Sequence, residues 1–529
     1  MTSTDLPLGP ASVDENEEAS PSALWQRLEA VLRRGSDRLN PILVKEARQA
    51  LKSRQFSITF TLLLVFGWCW SILGVALLSP GVYFAPGGTF MLVGYFLILA
   101  APILIVVPFS AFRSLAGERE DGTFELLSIT SLSSRQIVTG KLGSAVLQML
   151  VYYSALAPCI VFTYLLRGVD IFTILFVLTA TFLAAVLLSA FGLLVATVSS
   201  ARQWQVVLSV ILLVALLGAT GIWLMAMIQL IGAVGQVPYD DPTFWVSALG
   251  VLSFYASFVL LFLQTSAAQL SFASDNRSTK LRGLLMVQQV LWLGWMSYVW
   301  LQTESDDILF VIVTIAGIYW FLLGSLLSGE LARLSPRVKR SLPQSFLGRT
   351  AFTWFNPGSG TGYTFAVVNL LAVVLCAAIL ALVGQAVTFR GAPNDLDWLL
   401  YAGLVVGYVT IYLGVGRLVL LGLRRAVPAG LLMSTLVCAL VALLGAAVPL
   451  LMQAWLAGYR NLNYGTLQAS NWAWTLAEAS QGDIWAHAAV PVLVFATAIA
   501  VFLLNLVFTI TEVQQVRQES PERVLEDDN

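Results

Sequence analysis

Between Gln55 and Phe112 the sequence contains no Asp, Glu, Lys or Arg, and this uncharged stretch constrains the fold more than any other feature. A helix needs about 20 apolar residues to cross the hydrocarbon core of a membrane, so the stretch is long enough for two crossings. Over the whole chain, 58% of the residues are hydrophobic and 11% are charged, against about 45–50% and about 25% in soluble domains. A soluble globular protein is therefore excluded.

Similar apolar stretches recur to the end of the chain. They predict an all-α integral membrane protein, a polytopic helical bundle of about 12 transmembrane helices, or about ten if some segments are re-entrant. The predicted spans are 57–79, 88–112, 142–166, 171–198, 206–232, 245–269, 284–302, 308–328, 366–388, 398–420, 429–456 and 486–511.

The segments outside the spans define the predicted domain organisation. Residues 1–23 are acidic and rich in Ser and Pro, which predicts a disordered tail. Amphipathic patterns over 24–56 predict cytoplasmic interface helices. Residues 57–270 would form a six-helix membrane unit and 271–511 a second six-helix region, followed by a cytoplasmic tail at 512–529. Because residues 1–23 contain no cation and no apolar run, we expect the first span to direct insertion.

The distribution of cations predicts the orientation of the bundle, because cytoplasmic loops carry an excess of Lys and Arg. With the N-terminus inside, 26 of the 29 Lys and Arg residues fall in cytoplasmic segments, and only Arg167, Arg390 and Arg460 fall outside. Both termini are therefore predicted to be cytoplasmic. The net charge of −1 gives no basic field, so no nucleic-acid partner is expected.

The sequence lacks the residue patterns needed for metal binding, for cysteine catalysis and for ATP hydrolysis. The four cysteines lie in apolar stretches without metal-ligand spacing, so no metal site and no catalytic cysteine is predicted. No G-x-x-x-x-G-K-[ST] motif occurs, and the Gly140-Lys141 pair is followed by Leu142. The chain is therefore expected to bind no cofactor and to hydrolyse no ATP by itself.

The most informative segment, 113–141, lies on the predicted cytoplasmic side. Asp121-Gly122 predicts a turn, and Thr123 would cap a short helix with an apolar face. Ser133 and Gln136 match a capping box that would begin the third span. The apolar face could dock in a groove of a soluble partner or lie back on the membrane interface, and the residues alone leave both interpretations open. It consists of Leu126, Leu127 and Ile129.

Three strings in this segment carry a family resemblance. They are GEREDGTFELL from Gly117 to Leu127, TSLS from Thr130 to Ser133, and the Gly140-Lys141 pair. They resemble the cytoplasmic loop of type-2 ATP-binding-cassette (ABC) transporter permeases, whose pattern is roughly E-R-E-x-G-T-x-E-x-L followed by T-P-L-S and G-K. Ser131 stands where that family often has Pro. The upstream string NPILVKEAR, which begins at Asn40, resembles the N-terminal interface helix of the same family.

The resemblance implies a permease subunit that couples to a separate ABC ATPase, which would bind the ATP and magnesium. It also implies an exporter in a bacterial inner membrane. The pore would be formed by one chain or by two, and two chains would be either a homodimer or this chain with a second permease chain. The coupling residues carried over onto this chain are Glu118, Arg119, Glu120, Gly122, Thr123, Glu125, Leu126 and Leu127. The adjoining surface of the interface helix would comprise Asn40, Pro41, Lys45, Glu46 and Arg48.

The second half of the chain has a long cytoplasmic loop, 329–365, in the position that 113–141 occupies in the first half, but without an E-x-x-x-G-T element. The loop could contact a second ATPase through different side chains, or its cations could anchor it to anionic lipids. We favour the lipid anchor on the sequence alone. Within the spans of this half, Gly403 and Gly407 form a GxxxG pair that predicts close helix packing.

Two other function classes fit a twelve-span protein. An ion-driven secondary transporter would need Asp, Glu, His or Lys at depth in the membrane, and the predicted spans hold almost none. An integral membrane enzyme acting on a lipid-linked substrate would need convergent acidic residues or histidines. The sequence offers only the external pairs Asp240-Asp241 and Asp306-Asp307 and the single His487.

The predicted orientation can be tested by protease protection in sealed inside-out vesicles. A tag at Asn529 is expected to be digested in these vesicles and protected in right-side-out vesicles, because an even number of spans leaves both termini inside. A tag inserted after Ser480, on the predicted outside, provides the matched control with the opposite pattern. Protection of the C-terminal tag in inside-out vesicles would contradict the topology.

Overall fold

The computed structural model describes residues 40–79, 85–122, 132–198, 202–233, 237–272, 275–303, 307–332, 345, 353–388, 395–426, 430–457 and 463–517. All regular secondary structure in these ranges is helical. Twelve of the helices are long and apolar enough to cross a membrane, which confirms the predicted fold class. The predicted tail 1–23 lies outside the described residues. Of the predicted tail 512–529, the described residues 512–517 continue the last helix, and the rest lies outside the described residues.

The helices are numbered here in chain order. α1 is the helix that precedes the first span, α13 is a short helix, and the other twelve are the candidate spans. Their bounds are α1 Pro41–Leu51, α2 Arg54–Leu78, α3 Gly88–Glu120, α4 Ser134–Leu165, α5 Ile171–Thr197, α6 Arg202–Gly232, α7 Pro242–Leu270, α8 Thr279–Thr303, α9 Asp307–Leu327, α10 Ser359–Thr388, α11 Asp395–Leu423, α12 Leu431–Ala457, α13 Trp472–Gln481 and α14 Ala489–Arg517.

The chain divides into two compact units, unit 1 over Met1–Val237 and unit 2 over Pro238–Asn529. The sequence suggested a division near residue 270, one span later. The difference concerns α7, which packs against α8 and so belongs with the helices that follow it.

Unit 1 is built around α3, the most buried of its spans. Helix α3 packs against α2, α4, α5 and α6, and its buried face includes Met91, Tyr95 and Leu99, four residues apart. The segment Ala101–Val106 is a π-helical turn, and the Val107 N–H donates to the carbonyl of Pro102 rather than to a carbonyl four residues back. A proline removes a ladder donor, which accounts for the local change of helix type.

In unit 2 the closest helix pairings are α9 with α10 and α11 with α14. A Cβ atom at Gly403 or Gly407 would lie 3.0 Å from a side-chain atom of α14, on Phe495 or Val494 respectively. The GxxxG pair therefore brings the two helices close together, as the sequence predicted.

Buried charges at the ends of helices join three helices of unit 2. The Arg417 side chain of α11 has no exposed surface. It donates to the Asn505 carbonyl at 3.0 Å and to a carboxylate oxygen of Glu512 at 2.9 Å, both on α14. The Glu512 carboxylate also accepts the backbone N–H groups of Ser359 and Gly360, the first residues of α10. These N–H groups have no partner within their own helix, so the carboxylate stabilises the helix start.

Residues 463–488, between α12 and α14, extend along the spans of unit 2. The Trp472 indole N–H donates to the carbonyl of Ala442 at 3.1 Å, close to the middle of α12. Tyr412, beyond the middle of α11, donates its hydroxyl hydrogen to the Ser470 carbonyl. Because a helix rises 1.5 Å per residue, these two contacts place the turn that contains Ser470 and Trp472 beside the central part of the neighbouring helices. The polar side chain of Gln468, in this turn, is buried and hydrogen-bonded. The hydrophobic periodicity of the sequence therefore did not reveal that this segment is buried.

The α11–α14 packing can be tested with a leucine at Gly407. The larger side chain would overlap Val494, and overpacking of this kind costs about 1–3 kcal/mol. Gly407→Leu is expected to lower the melting temperature of the detergent-solubilised protein. Gly422→Leu, in the same helix but with open space around its Cβ position, is the control and is expected to leave it unchanged. Equal melting temperatures for the two variants would contradict the packing.

Candidate functional site

The residues of the predicted interface helix fold as the sequence suggests. Asn40 caps α1 by accepting the Ile42 N–H at 3.1 Å, and Pro41 occupies the first helical position, where its missing N–H costs nothing. The Asn40 amide also donates to the Gln136 carbonyl at 2.5 Å, in the first turn of α4. Gly140 of α4 leaves room for Ile42, since a Cβ there would lie 2.9 Å from it. Helix α1 is therefore fastened along the start of α4.

The start of α4 is fixed by the predicted capping box. The Ser133 hydroxyl accepts the Gln136 N–H at 3.3 Å, and the Gln136 side chain accepts the Ser133 N–H at 2.9 Å. Two backbone donors that have no helical partner are thus satisfied reciprocally. Helix α4 begins at Ser134, eight residues before the start of the predicted span 142–166.

Lys141, on α4, is the centre of the site. Its side chain is 1% exposed, and its Nζ lies 3.1 Å from Glu46 Oε1 and 3.0 Å from Glu118 Oε2. It also donates to the carbonyl of Ser114 at 3.2 Å. Glu46 lies on α1, and Ser114 and Glu118 lie on α3. A single buried cation therefore links three helices, and its hydrogen bonds offset part of the cost of its burial.

The last turn of α3 contacts further helices. Arg119 donates to the Thr197 carbonyl at 2.6 Å and to the Ala196 carbonyl at 3.4 Å, at the C-terminus of α5. A cation is favourable there because the helix dipole places partial negative charge at that end. Glu120 pairs with Arg202, the first residue of α6, at 2.7 Å. Through these contacts the end of α3 bears on α4, α5 and α6 as well as on α1.

The structure brings most of the described site residues together. Lys45 lies 3.7 Å from Glu118 Oε1 and adds a second cation to that carboxylate. Gly122 has a φ of 69°, a left-handed conformation that glycine adopts without strain, in agreement with the predicted turn. Arg48 is exposed on α1 and forms no ion pair among those in the described part of the chain. The predicted coupling residues Thr123, Glu125, Leu126 and Leu127 lie outside the described residues.

One member of the site was missed by sequence reasoning. Lys141 was noted only as part of a Gly-Lys pair, whereas Arg119 was among the predicted coupling residues, although its contact with the end of α5 was not foreseen. The available signal was the position of Lys141 about two turns into a helix whose next residues are apolar. Its partners are more than twenty and more than ninety residues away in sequence, so no local pattern could identify them.

The contacts of the site are ion pairs and hydrogen bonds between helices. Among the described residues, no group of three or more His, Cys, Asp or Glu side chains could hold a metal ion. Comparison of the chain with known protein families, with curated proteins and with solved structures finds no match.

Replacing Lys141 tests whether it holds these helices together. Lys141→Met would leave the carboxylates of Glu46 and Glu118 without their buried cation, and breaking such a pair costs about 3–5 kcal/mol. The variant is expected to lose thermal stability and to expose the α1–α2 junction to limited proteolysis. Arg48→Met, on the exposed face of α1, serves as the control and is expected to behave as the wild type. An unchanged digestion pattern for Lys141→Met would contradict the proposed linkage.

Proposed function

We propose that this protein is the membrane-spanning permease subunit of an ATP-driven transporter of the type-2 ABC class. The observation that carries the proposal is the Lys141 linkage, which joins the end of α3 to α1 and α4. The predicted coupling segment begins immediately after α3. A load applied to that segment would therefore reach the membrane helices through buried ionic contacts rather than through a flexible loop.

The geometry supports a subunit that receives force from a partner. Helix α1 and the last turn of α3 form one ionic cluster, so they present a combined surface of Lys45, Glu118 and Asp121 to the predicted cytoplasmic side. In the proposed mechanism, a separate ATPase subunit docks on this surface and supplies ATP and magnesium chemistry. Closure of the ATPase moves α3 and α4, and the substrate passes outward through a bacterial inner membrane.

The ion-driven alternative has less support. Every Asp and Glu within the twelve candidate spans lies within the first or last few residues of its helix. A proton or ion relay needs such groups near the middle of the membrane. A lipid-linked enzyme would need convergent catalytic groups, and the acidic side chains of the site are instead neutralised by Lys45, Lys141 and Arg202.

The proposal is tested by purifying the tagged full-length protein from its native membranes under mild conditions and labelling the complex with radioactive 8-azido-ATP. A labelled P-loop ATPase, identified by mass spectrometry, is expected to co-purify. The double variant Leu126→Asp with Leu127→Asp is expected to lower its recovery at least twofold, because the apolar contacts of the coupling segment would be lost.

The control for the added charge is Ser480→Asp, which lies on the predicted outside and is expected to retain the full amount of ATPase. The proposal would be rejected if the wild type retained no P-loop ATPase. It would also be rejected if the double variant and the control retained equal amounts, since the partner would then be held elsewhere.

A further inference from the structure

Two sets of five consecutive helices in this chain pack in the same way. In unit 1, α2 packs against α3 and α4, α3 also packs against α4, α5 and α6, and α5 packs against both α4 and α6. In unit 2, α8 packs against α9 and α10, α9 also packs against α10, α11 and α12, and α11 packs against both α10 and α12. The first set is thus reproduced, helix by helix, six spans later.

The connections within the two sets also correspond. In each set the second and third helices, α3–α4 and α9–α10, are joined by a long segment on the predicted cytoplasmic side. In unit 1 this segment carries the proposed coupling residues. In unit 2 it follows Leu327 and ends before Ser359. The topology therefore places the end of α9 where unit 1 has the end of α3.

In each set a carboxylate lies in the last turn of the second helix or just after it, and it pairs with a cation that lies before or at the start of the first helix. In unit 1, Glu118 pairs with Lys45, which precedes α2. In unit 2, Glu330 pairs with Arg282 in the first turn of α8 at 2.6 Å, and the Arg282 side chain has no exposed surface. The Ser278 hydroxyl donates to the same carboxylate at 2.9 Å.

The start of each set also contacts the beginning of the third helix. In unit 1, Asn40 donates to the Gln136 carbonyl. In unit 2, Arg282 donates to the Trp354 carbonyl at 2.6 Å, and Thr279 donates to the Phe355 carbonyl at 3.0 Å, just before α10. In each set the end of the second helix is also hydrogen-bonded to the end of the fourth helix. In unit 1 the donor is Arg119 of α3. In unit 2 the donor is Arg424, just after α11, which donates to the Gly329 carbonyl at 2.7 Å.

The hydrogen bonds and ion pairs that join the helix ends come from different residues in the two units. The sequence therefore shows no repeat. In unit 1 the arginine belongs to the second helix and caps the fourth, whereas in unit 2 it follows the fourth and caps the second. Burial lowers the pKa of the Arg424 guanidinium from its usual value, and the nearby Glu512 carboxylate opposes that shift. The same mechanical connections are thus made with different side chains.

We propose that the end of α9, around Glu330 and Leu331, is a second docking position for the same class of ATPase. This inference rests on the proposed function of unit 1. Leu331 follows the half-buried carboxylate of Glu330 directly and is 53% exposed, so it offers an apolar anchor beside a rigid ionic cluster. One chain would then hold two ATPase subunits, and a lipid anchor would not be the main role of this surface.

The experiment uses a genetically encoded photo-cross-linker, p-benzoylphenylalanine, in the full-length protein together with its radiolabelled ATPase. It is placed at Asp121 in unit 1, at Leu331 in unit 2, or at Ser480 on the predicted outside. Illumination is expected to link the ATPase to the first two positions with a yield at least tenfold above that at Ser480. A chain with the cross-linker at both Asp121 and Leu331 is expected to yield a species of one chain with two ATPases.

Each other outcome has a defined meaning. A cross-link at Asp121 but only lipid adducts at Leu331 would overturn the second docking position and leave the proposed function intact. No ATPase cross-link at either position would overturn both. As an independent measurement, Leu331→Asp is expected to halve the ATPase bound per chain in native mass spectrometry, from two copies to one, while Leu331→Ile retains two. An unchanged ratio in Leu331→Asp would also reject the second position.

Discussion

Lipid hydrocarbon offers no hydrogen bonds, and this constraint determines where the polar groups of the protein lie. Backbone groups are satisfied within helices, the Asp and Glu side chains of the candidate spans lie near helix ends, and several of them meet a cation there in a cluster that excludes water. Lys141 joins Glu46 and Glu118 in unit 1, and Arg417 joins Glu512 in unit 2. Because a buried charge is costly unless it is paired, each cluster also fixes the relative positions of the helices that contribute to it.

The features that were predicted from sequence are those that depend on local patterns. The twelve spans follow from apolar length, the cap at Asn40 from residue type, and the Ser133–Gln136 capping box from a spacing of three residues. The GxxxG pair at Gly403 and Gly407 also packs as expected. Each of these signals lies within one helix or at its end, where the physical cause is complete in the local sequence.

The features that were not predicted depend on residues distant in sequence. The partners of Lys141 lie on two other helices, and the depth reached by Trp472 is visible only from its contact with Ala442. The sequence suggested two six-helix regions with long loops in corresponding positions, but the side chains that fix the two five-helix sets could not be predicted, for the same reason. The two sets have the same helix contacts, but the residues that hold the helices together lie on different helices. Arg119 lies on the second helix of its set, whereas Arg424 follows the fourth helix of its set. A comparison of side chains cannot detect such a repeat, whereas a comparison of helix contacts can.

The position of the π-helical turn bears on how unit 1 could respond to a load. The inner part of α3, from Val107 to Glu120, packs closely against α5, and Gly192 allows the Pro108 backbone to approach that helix. Just beyond it, Pro102 and the π-helical hydrogen bond to its carbonyl interrupt the regular ladder, and such interruptions are where helices bend. A force applied at Glu118 would therefore move the inner part of α3 together with α4 and α5. The deformation would be taken up at Ala101–Val106, near the middle of the span.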